Sequence, residues 1–368
     1  MANRKWVDVG NASELGSKSV TRVEAEGLTL ALSFAGGTFG AIGATCVHEG
    51  GPLDEGTLND DGCIVCPWHE WTYDRVTGRV PGGSECVVAY DGEVRDGRVR
   101  VDVASGRSGA PVENFEKKKH ALDREIVRGA GPIRIAGIST TVMNREAPRY
   151  STSERLLSVA LEHAASTLGA ETRLLKLNDL KFRNCEGYYS KSAHSCTWPC
   201  TITQADDADE MQQVYEALVF WADVIVVSTP IRWGNASSLF YKMAERMNCI
   251  QNQITINDRV LIRNKVATFI ITGGQDNIQA VAGQLLTFFS EIGFHFPQFP
   301  FIAHSRGWDA DDMERNVATV EQSESLRDGA RQLVTRGAAM AALLLGQGAG
   351  VESTPRGGRK ASPLLVAR

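Results

Sequence analysis

The chain has 368 residues and a formal net charge of -5 at pH 7, with 43% hydrophobic and 23% charged residues. This length accommodates two or three domains, and the composition is ordinary for a globular protein. We expect no nucleic-acid partner and no membrane insertion, because there is neither a basic stripe nor an apolar run of membrane-spanning length. The N-terminus lacks the apolar core of a signal peptide, so we expect a cytoplasmic location.

Residues 1–104 consist of short strand-like runs between glycine-rich turns. Polar and apolar residues alternate with period two in runs such as Leu28 to Leu32, and no long helical pattern appears. The pattern predicts a small all-β domain. Residues 105–130 are rich in Ser and Gly and then highly charged, which predicts a linker with one exposed helix from Glu113 to Val127.

Buried strands and amphipathic helices alternate in residues 131–348. The predicted strands are Ile133–Ile138, Thr172–Leu177, Val224–Val227, Val266–Ile271 and Phe299–Ala303. Ser151 and Glu154 have capping-box spacing at the start of the first helix, and later helices are predicted over Asp206–Ala222 and Ala330–Leu345. Five strands alternating with helices predict a doubly wound α/β domain with a parallel sheet, and the order 2-1-3-4-5 fits that count. Residues 349–368 are predicted to be a disordered tail.

Two loops in the β domain each pair a cysteine with a histidine. They contribute Cys46 and His48, and Cys66 and His69, with the overall spacing C-x-H-x17-C-x2-H. Thiolate and imidazole side chains are metal ligands. A tetrahedral zinc site is the alternative reading, although zinc sites usually pair Cys with Cys and His with His along the chain.

The spacing of these loops resembles that of a Rieske [2Fe–2S] domain. The resemblance implies that Cys46 and Cys66 hold one iron and that His48 and His69 hold the other. Rieske proteins of respiratory complexes carry two further loop cysteines, whereas Gly51 and Trp68 occupy those places here. The loops are therefore similar to the ferredoxin and oxygenase type. Glu70 stands where that type usually has glycine.

Three loops of the α/β domain are predicted at the carboxyl-terminal edge of its sheet, where folds of this class bind ligands. The first contains Ser139 and leads to the Ser/Thr run 151–153, which opens a helix and is suited to a phosphate group. The second is Pro230–Asn235, with Trp233 available to cover a flat ring. The third is Thr272–Asp276, whose glycines permit close backbone approach.

This region resembles the NADPH-dependent FMN reductase family within the flavodoxin-like superfamily. The best-matching motifs are Ala222–Ile225 running into Pro230–Asn235, and Ile271–Asp276. The resemblance implies that FMN phosphate is held by Ser139, Thr152 and Ser153. It also implies that the flavin ring is flanked by Pro230, Arg232, Trp233, Gly234, Asn235, Thr272, Gly273, Gly274 and Gln275. The loop from Thr140 to Tyr150 is longer than the family's usual turn.

Three cysteines, Cys185, Cys196 and Cys200, follow the second predicted strand of the α/β domain. Iron–sulfur flavoproteins related to this family bind a [4Fe–4S] cluster there through four closely spaced cysteines. The three here are more widely spaced, so the sequence leaves open both a second cluster and a loop that covers a substrate.

The leading functional hypothesis is an oxidoreductase in which FMN takes two electrons from NAD(P)H and the Rieske cluster carries them one at a time. NAD(P)H as the donor follows from the resemblance alone. One alternative is reduction of a quinone or other small electrophile at the flavin, with an external ferredoxin feeding the Rieske domain. Another is an electron carrier that serves a partner oxygenase. The resemblance also implies a homodimer or homotetramer. No catalytic residue can be assigned.

Overall fold

The computed structural model describes residues 4–83, 85–107, 120–190, 195–206, 208–274, 277–306 and 309–346. The chain divides into two compact units. Unit 1 comprises Met1–Lys119 together with Gly187–Cys196, and unit 2 comprises His120–Glu186 and Thr197–Arg368. Gly187–Cys196 therefore belongs to unit 1, although the chain on both sides of it belongs to unit 2.

Unit 1 is built from two antiparallel sheets. The larger is six-stranded, in the order β1-β9-β8-β4-β3-β2, and the smaller is three-stranded, in the order β5-β6-β7. The strands are β1 Trp6–Asn11, β2 Val20–Ala25, β3 Leu28–Ala35, β4 Thr38–Gly43, β5 Thr57–Leu58, β6 Cys63–Val65, β7 Thr72–Asp74, β8 Ala89–Arg95 and β9 Arg98–Arg107. A four-residue helix, α1 (Ala12–Leu15), follows β1.

The period-two pattern of unit 1 places alternate side chains in its core. Val99 and Val101 of β9 are fully buried, whereas Arg98, the first residue of β9, pairs with Asp8 at the surface. A second apolar cluster contains Leu53, Ile64 and the two cysteines of the Cys-His loops. The small sheet therefore anchors these loops directly on a hydrophobic core.

Unit 2 contains a five-stranded parallel sheet in the order β11-β10-β12-β13-β14. Its strands are β10 Arg134–Ser139, β11 Glu171–Lys176, β12 Val224–Pro230, β13 Val266–Gly273 and β14 Phe301–Ser305. The predicted order 2-1-3-4-5 is confirmed. The central strands β12 and β13 are buried almost throughout, as expected for a parallel sheet covered on both faces.

The helices of unit 2 are α2 Thr152–Ser166, α3 Thr201–Ala205, α4 Met211–Tyr215, α5 Ser238–Arg246, α6 Asn248–Asn257, α7 Ile278–Glu291, α8 Ala310–Gln322 and α9 Glu324–Gly346. Helix α4 continues as a π-helical stretch over Glu216–Trp221. None of the helices in the described ranges combines the length and apolarity needed to cross a membrane.

Several local predictions differ from the structure in detail. The side chain of Ser151 caps α2 as predicted by accepting a hydrogen bond from the Glu154 backbone N–H. The Glu154 carboxylate, however, does not complete a capping box with Ser151. It accepts instead from the Ser139 hydroxyl at 2.9 Å and pairs with Lys176 at 2.5 Å. Side-chain partners distant in sequence thus replaced the local one.

The linker and tail predictions are only partly covered by the structure. Residues 120–127 contain no helix, so the C-terminal half of the predicted linker helix is wrong. Its N-terminal half and the predicted tail at residues 349–368 lie outside the described residues. The domain boundaries at 104, 130 and 348 stay predictions. Helix α8 was not predicted, because its apolar periodicity is weak: of its described side chains, Asn316 and Val320 are the buried ones.

Candidate functional site

The two Cys-His loops of unit 1 have the same backbone fold. In the first, the Gly50 N–H donates to the Cys46 carbonyl at 2.9 Å, and the Cys46 N–H donates to the Gly51 carbonyl at 2.8 Å. In the second, the Glu70 N–H donates to the Cys66 carbonyl at 3.0 Å. Each cysteine therefore begins a closed turn that carries the following histidine back towards the other loop.

Gly50 and Glu70 occupy equivalent places in these turns. Both have positive φ, 80° at Gly50 and 59° at Glu70. Glycine adopts this left-handed conformation freely, whereas a residue with a Cβ incurs a cost of about 1–2 kcal/mol. Glu70 therefore carries backbone strain that glycine at the same position would not. The hydrogen bonds and packing of the rest of the loop hold Glu70 in this conformation.

The two thiols lie together in the core of unit 1. Cys46 is 2% exposed and Cys66 is fully buried. The hydrogen bond between them lowers the pKa of Cys46 to about 6, against the opposing effect of burial, and it raises the pKa of Cys66. The Tyr73 hydroxyl lies 3.1 Å from the Cys46 sulfur. One thiolate is thus already favoured, and a metal that binds both sulfurs releases the second proton.

The two imidazoles form a second pair. The Nδ1 atoms of His48 and His69 are 3.0 Å apart. The His48 ring stacks on the Trp71 indole with centroids 4.7 Å apart and an interplanar angle of 7°. His69 is 8% exposed, and its outer nitrogen, Nε2, lies 2.8 Å from the Ser195 carbonyl oxygen. The predicted ligands are therefore brought together as a sulfur pair and a nitrogen pair.

This arrangement fits a two-iron cluster. Two sulfurs can ligate one iron while two ring nitrogens ligate the other, which is the Rieske pattern. The backbone of Gly51 packs closely against the Cys66 ligand, because a Cβ at Gly51 would lie 2.7 Å from the Cys66 sulfur and 3.2 Å from the Trp68 ring. Gly51 occupies a place where a side chain would displace a ligand.

We predict that Gly51→Ala lowers the iron content per chain. The added methyl group would overlap the Cys66 sulfur, so the loop must shift by several tenths of an ångström and the ligand geometry must loosen. Displaced or weakened support for metal ligands typically costs about 10–100-fold in metal affinity. Iron and acid-labile sulfide analysis of the purified chain measures the effect.

The control for this substitution is Gly92→Ala in strand β8 of the same unit. The nearest heavy atom to a Cβ at Gly92 is the Arg100 carbonyl oxygen at 3.9 Å, an ordinary contact. The Gly92 variant should keep wild-type iron content. Equal iron in both variants would show that close packing at Gly51 does not support the cluster.

In unit 2, the predicted flavin residues meet at one edge of the parallel sheet. Ser139 at the end of β10 lies beside Ser228 of β12, and Pro230 at the end of β12 lies beside Thr272 of β13. The Thr152 hydroxyl at the start of α2 is 2.7 Å from the Thr272 hydroxyl. All three predicted loops therefore contribute to this edge.

Hydroxyl groups cluster at the N-terminus of helix α2. The Thr141 hydroxyl lies 2.9 Å from that of Ser151 and 3.2 Å from that of Ser153. The first backbone N–H groups of a helix have no partner within the helix, and the helix dipole favours an anion at this end. The cluster fits a phosphate group, with Thr141 as a member that the sequence reading missed.

The ring-flanking loop is a tight turn. The backbones of Arg232 and Asn235 exchange hydrogen bonds of 2.7 and 2.9 Å, and the two residues between them, Trp233 and Gly234, have φ of 51° and 71°. Trp233 is 90% exposed. The left-handed backbone of Trp233 lowers the stability of the fold, and its exposed indole makes few packing contacts that would offset this cost. Strained, exposed aromatic residues of this kind are found at functional sites.

The third predicted loop is only partly described. Gly273 ends β13, and a Cβ there would lie 2.7 Å from that of Ile231, so glycine is needed for the two loops to pack. Gly274 is half-buried. Gln275 lies outside the described residues.

The three cysteines that left a second cluster open do not fall in one unit. Cys196 belongs to unit 1, whereas Cys185 and Cys200 belong to unit 2. Cys200 is hydrogen-bonded to Cys249, which lowers the pKa of Cys200 well below its usual value. The described part of the chain shows no group of three or more His, Cys, Asp or Glu side chains placed around a single metal ion, and the four predicted ligands of unit 1 lie as two separate pairs.

Comparison with known protein families divides the chain at a similar place. Residues 5–94 match the Rieske [2Fe-2S] domain family, and residues 134–309 match the NADPH-dependent FMN reductase family. Gly187–Cys196, although part of structural unit 1, falls within the second match.

Individual curated relatives each match one of these two regions of the chain. Ferredoxin CarAc of Metapseudomonas resinovorans is 36% identical over 27% of this chain and 94% of its own length. Iron-sulfur flavoprotein MJ0731 of Methanocaldococcus jannaschii is 28% identical over 35% of this chain, which spans 59% of that relative. The solved structure of RosB with a bound 8-demethyl-8-formylriboflavin-5'-phosphate intermediate is 19% identical, with a TM-score of 0.47 over 58% of this chain and 81% of that one.

Proposed function

Because this chain belongs to the Rieske family in residues 5–94 and to the NADPH-dependent FMN reductase family in residues 134–309, we propose that it passes electrons between FMN and its own Rieske cluster. The families imply both cofactors and name NADPH as the donor, so the protein is an FMN- and [2Fe–2S]-dependent oxidoreductase. The observation that carries the proposal is the presence of both sites in one polypeptide. FMN supplies two-electron hydride chemistry, and the cluster supplies one-electron transfer.

We assign the cluster ligands as Cys46 and Cys66 on one iron and His48 and His69 on the other. The pairing supports this assignment, since sulfur faces sulfur and Nδ1 faces Nδ1. A single zinc ion would instead require all four atoms around one centre. The chain's part is to bury the sulfurs and to hold both rings at fixed angles.

We assign the phosphate of FMN to the start of helix α2, with Ser139, Thr152 and Ser153 as the residues that hold it. The hydroxyl cluster and the helix N-terminus support this assignment. Lys176 offsets the negative charge of Glu154 beside the site. The flavin ring is assigned to the turn Arg232–Asn235 with Pro230, Thr272, Gly273 and Gly274, and to Gln275.

We predict that Trp233→Gly weakens FMN binding about tenfold without lowering the stability of the FMN-free protein. An aromatic contact contributes about 0.5–1.5 kcal/mol beyond its buried area, and 1.4 kcal/mol is a factor of ten. Glycine at φ 51° removes backbone strain, and the exposed indole has little packing to lose. Fluorescence titration of the FMN-free protein with FMN gives the Kd.

Phe299 provides a matched control in the same unit. It is 76% exposed and has φ 50°, but it precedes β14 and so lies at the opposite, amino-terminal edge of the sheet. Phe299→Gly should leave the Kd for FMN unchanged. Equal weakening by both substitutions would refute the placement of the ring at the Trp233 turn.

The proposal is tested by mixing the protein, loaded with both cofactors, anaerobically with NADPH or NADH. We expect flavin absorbance to fall first and a Rieske-type EPR signal to follow. A fall in flavin absorbance without reduction of the cluster would contradict the proposal and favour a flavin site that reduces a quinone or other small electrophile, fed by an external ferredoxin. No reaction with either nucleotide would favour an external donor.

A second candidate function is an electron-transfer component that serves a partner oxygenase. The similarity of the N-terminal part to ferredoxin CarAc favours it. Slow consumption of NADPH by the protein alone, with a rate that rises on addition of an acceptor protein, would distinguish this function. The homodimer or homotetramer, the absence of a nucleic-acid partner and the cytoplasmic location stay predictions.

A further inference from the structure

A segment from the second family match covers one of the cluster-ligand histidines of unit 1. We call the two described stretches Gly187–Ser190 and Ser195–Cys196, which belong to unit 1, the cap segment. Tyr188 begins a short 3-10 turn over Tyr188–Ser190. The Ser190 N–H donates to the Gly187 carbonyl at 2.9 Å, and the Ser190 hydroxyl donates to it at 2.7 Å.

The cap segment contacts His69 in two ways. The Ser195 carbonyl oxygen lies 2.8 Å from His69 Nε2, and Ser195 is fully buried. The Tyr188 ring lies beside the same imidazole in a tilted arrangement, with centroids 6.1 Å apart at an interplanar angle of 56°. His69 is 8% exposed as a result of the packing around it.

The two ring nitrogens of His69 have different roles, which gives the contact with the Ser195 carbonyl a function. Nδ1 of His69 faces Nδ1 of His48, so Nε2 is the outer nitrogen when the rings ligate iron. A carbonyl oxygen can only accept a hydrogen bond, and therefore the Nε2 atom must carry the proton. Such a partner fixes the tautomer and the ring orientation of a metal-bound histidine and raises the basicity of the ligand.

We propose that the cap segment lowers the reduction potential of the Rieske cluster by hydrogen bonding to His69 and covering it. A more basic imidazole stabilises the more positively charged, oxidised iron. Exclusion of water from His69 disfavours the extra negative charge that one-electron reduction places on the cluster. Both effects act in the same direction. The proposal rests on the ligand assignment made above.

The reduction potential of the cluster, which lies in the first family match, would thus depend on residues of the second family match. Gly187–Cys196 is joined through Glu186 and Thr197 to the chain of unit 2. A displacement of this segment would thus change the potential of the cluster and, with it, the driving force for electron exchange. The cap residues are positioning residues, because they act through His69.

Two variants of the full chain test the proposal. The first replaces residues 187–196 with a Gly/Ser sequence of equal length, and the second is Tyr188→Ala. Tyr189→Ala is the matched control, since Tyr189 is the next residue in the same turn and is 50% exposed. The midpoint potential is measured by an EPR-monitored redox titration at one fixed pH.

We expect the midpoint potential to shift upwards in the replacement variant, to shift less in Tyr188→Ala, and to stay at the wild-type value in Tyr189→Ala. Wild-type potentials in both cap variants would overturn the proposal. If the replacement variant does not retain a cluster, Tyr188→Ala alone decides, and an unchanged potential there is a refutation. A wild-type protein without a Rieske-type EPR signal would instead refute the ligand assignment of the proposed function.

Discussion

Cys66→Ala is expected to abolish the [2Fe–2S] cluster while leaving FMN bound. The Cys66 thiol is fully buried and is hydrogen-bonded to Cys46, so no other side chain or solvent group can readily take its place as a ligand. Removal of one thiolate leaves its iron with a single protein sulfur. Iron and acid-labile sulfide per chain should fall at least about tenfold. Mutation of a residue that only supports a metal ligand already costs about 10–100-fold in metal affinity, and Cys66 is itself a ligand in this assignment.

Cys63→Ala is the control for this substitution. Cys63 is in strand β6, three residues before Cys66, and is 4% exposed. Both substitutions therefore remove a buried thiol from the same part of unit 1, but only one removes an assigned ligand. Cys63→Ala should keep its iron and its EPR signal. Wild-type iron content in Cys66→Ala, or zinc in place of iron in the unaltered protein, would contradict the assignment.

Asp209→Ala is expected to destabilise unit 2 by about 3–5 kcal/mol, because it leaves the buried guanidinium of Arg246 without its counter-charge. Both side chains are fully buried, and Arg246 forms a bidentate pair with Asp209 at 2.6 and 3.1 Å. The Thr203 hydroxyl donates to the same carboxylate at 2.8 Å, and the Arg183 N–H donates at 2.9 Å. The carboxylate therefore joins segments that are distant in sequence.

The same pair predicts an acid dependence. Burial raises the pKa of Asp209, but the hydrogen bonds and charge of Arg246 outweigh it and lower the pKa overall. A lowered carboxyl pKa contributes stability above the pKa of the unfolded chain, about 3.9, and this contribution is lost as the pH falls through the folded pKa. The stability difference between wild type and Asp209→Ala should therefore shrink as the pH falls below about 4.

Urea unfolding of the FMN-free protein, followed by circular dichroism at 222 nm, measures both effects. In the described part of the chain, the helical elements of unit 1 are the four-residue helix α1 and two three-residue 3-10 turns, so the helical signal reports mainly on unit 2. Asp311→Ala is the control, since its pair with Arg315 is exposed on both sides and should contribute less than about 1 kcal/mol. A similar loss for the two variants would show that the buried pair is not essential for stability.

The sequence was sufficient for the strands of the parallel sheet, because the relevant signals are local, and their order followed from the fold class that five alternating strands indicate. Continuous apolar runs such as Val224–Val227 become buried strands, and Ser151 caps its helix as its spacing suggests. Helix α8 was not predicted, although Asp309 caps it and its first turn is acidic, both of which favour a helix start. Its apolar periodicity is weak, because Val320 is the buried apolar side chain among those described in this helix.

The candidate sites show where local reasoning stops. The pattern of Cys and His predicted which side chains meet, and the structure places them in pairs. It did not predict the Ser195 carbonyl beside His69, because any residue supplies a carbonyl and 126 positions separate the two. Likewise, sequence position marked Glu70 as unusual, but only the backbone shows its left-handed conformation.

The proposed function requires that electrons move between FMN and the cluster within one molecule of the protein. The most direct test follows the rate of cluster reduction after anaerobic mixing with excess NADPH, by rapid freeze-quench EPR, at several protein concentrations. We predict a first-order rate constant that does not change with protein concentration. A rate constant that rises in proportion to protein concentration would show that electrons pass between separate molecules and would refute the proposed function.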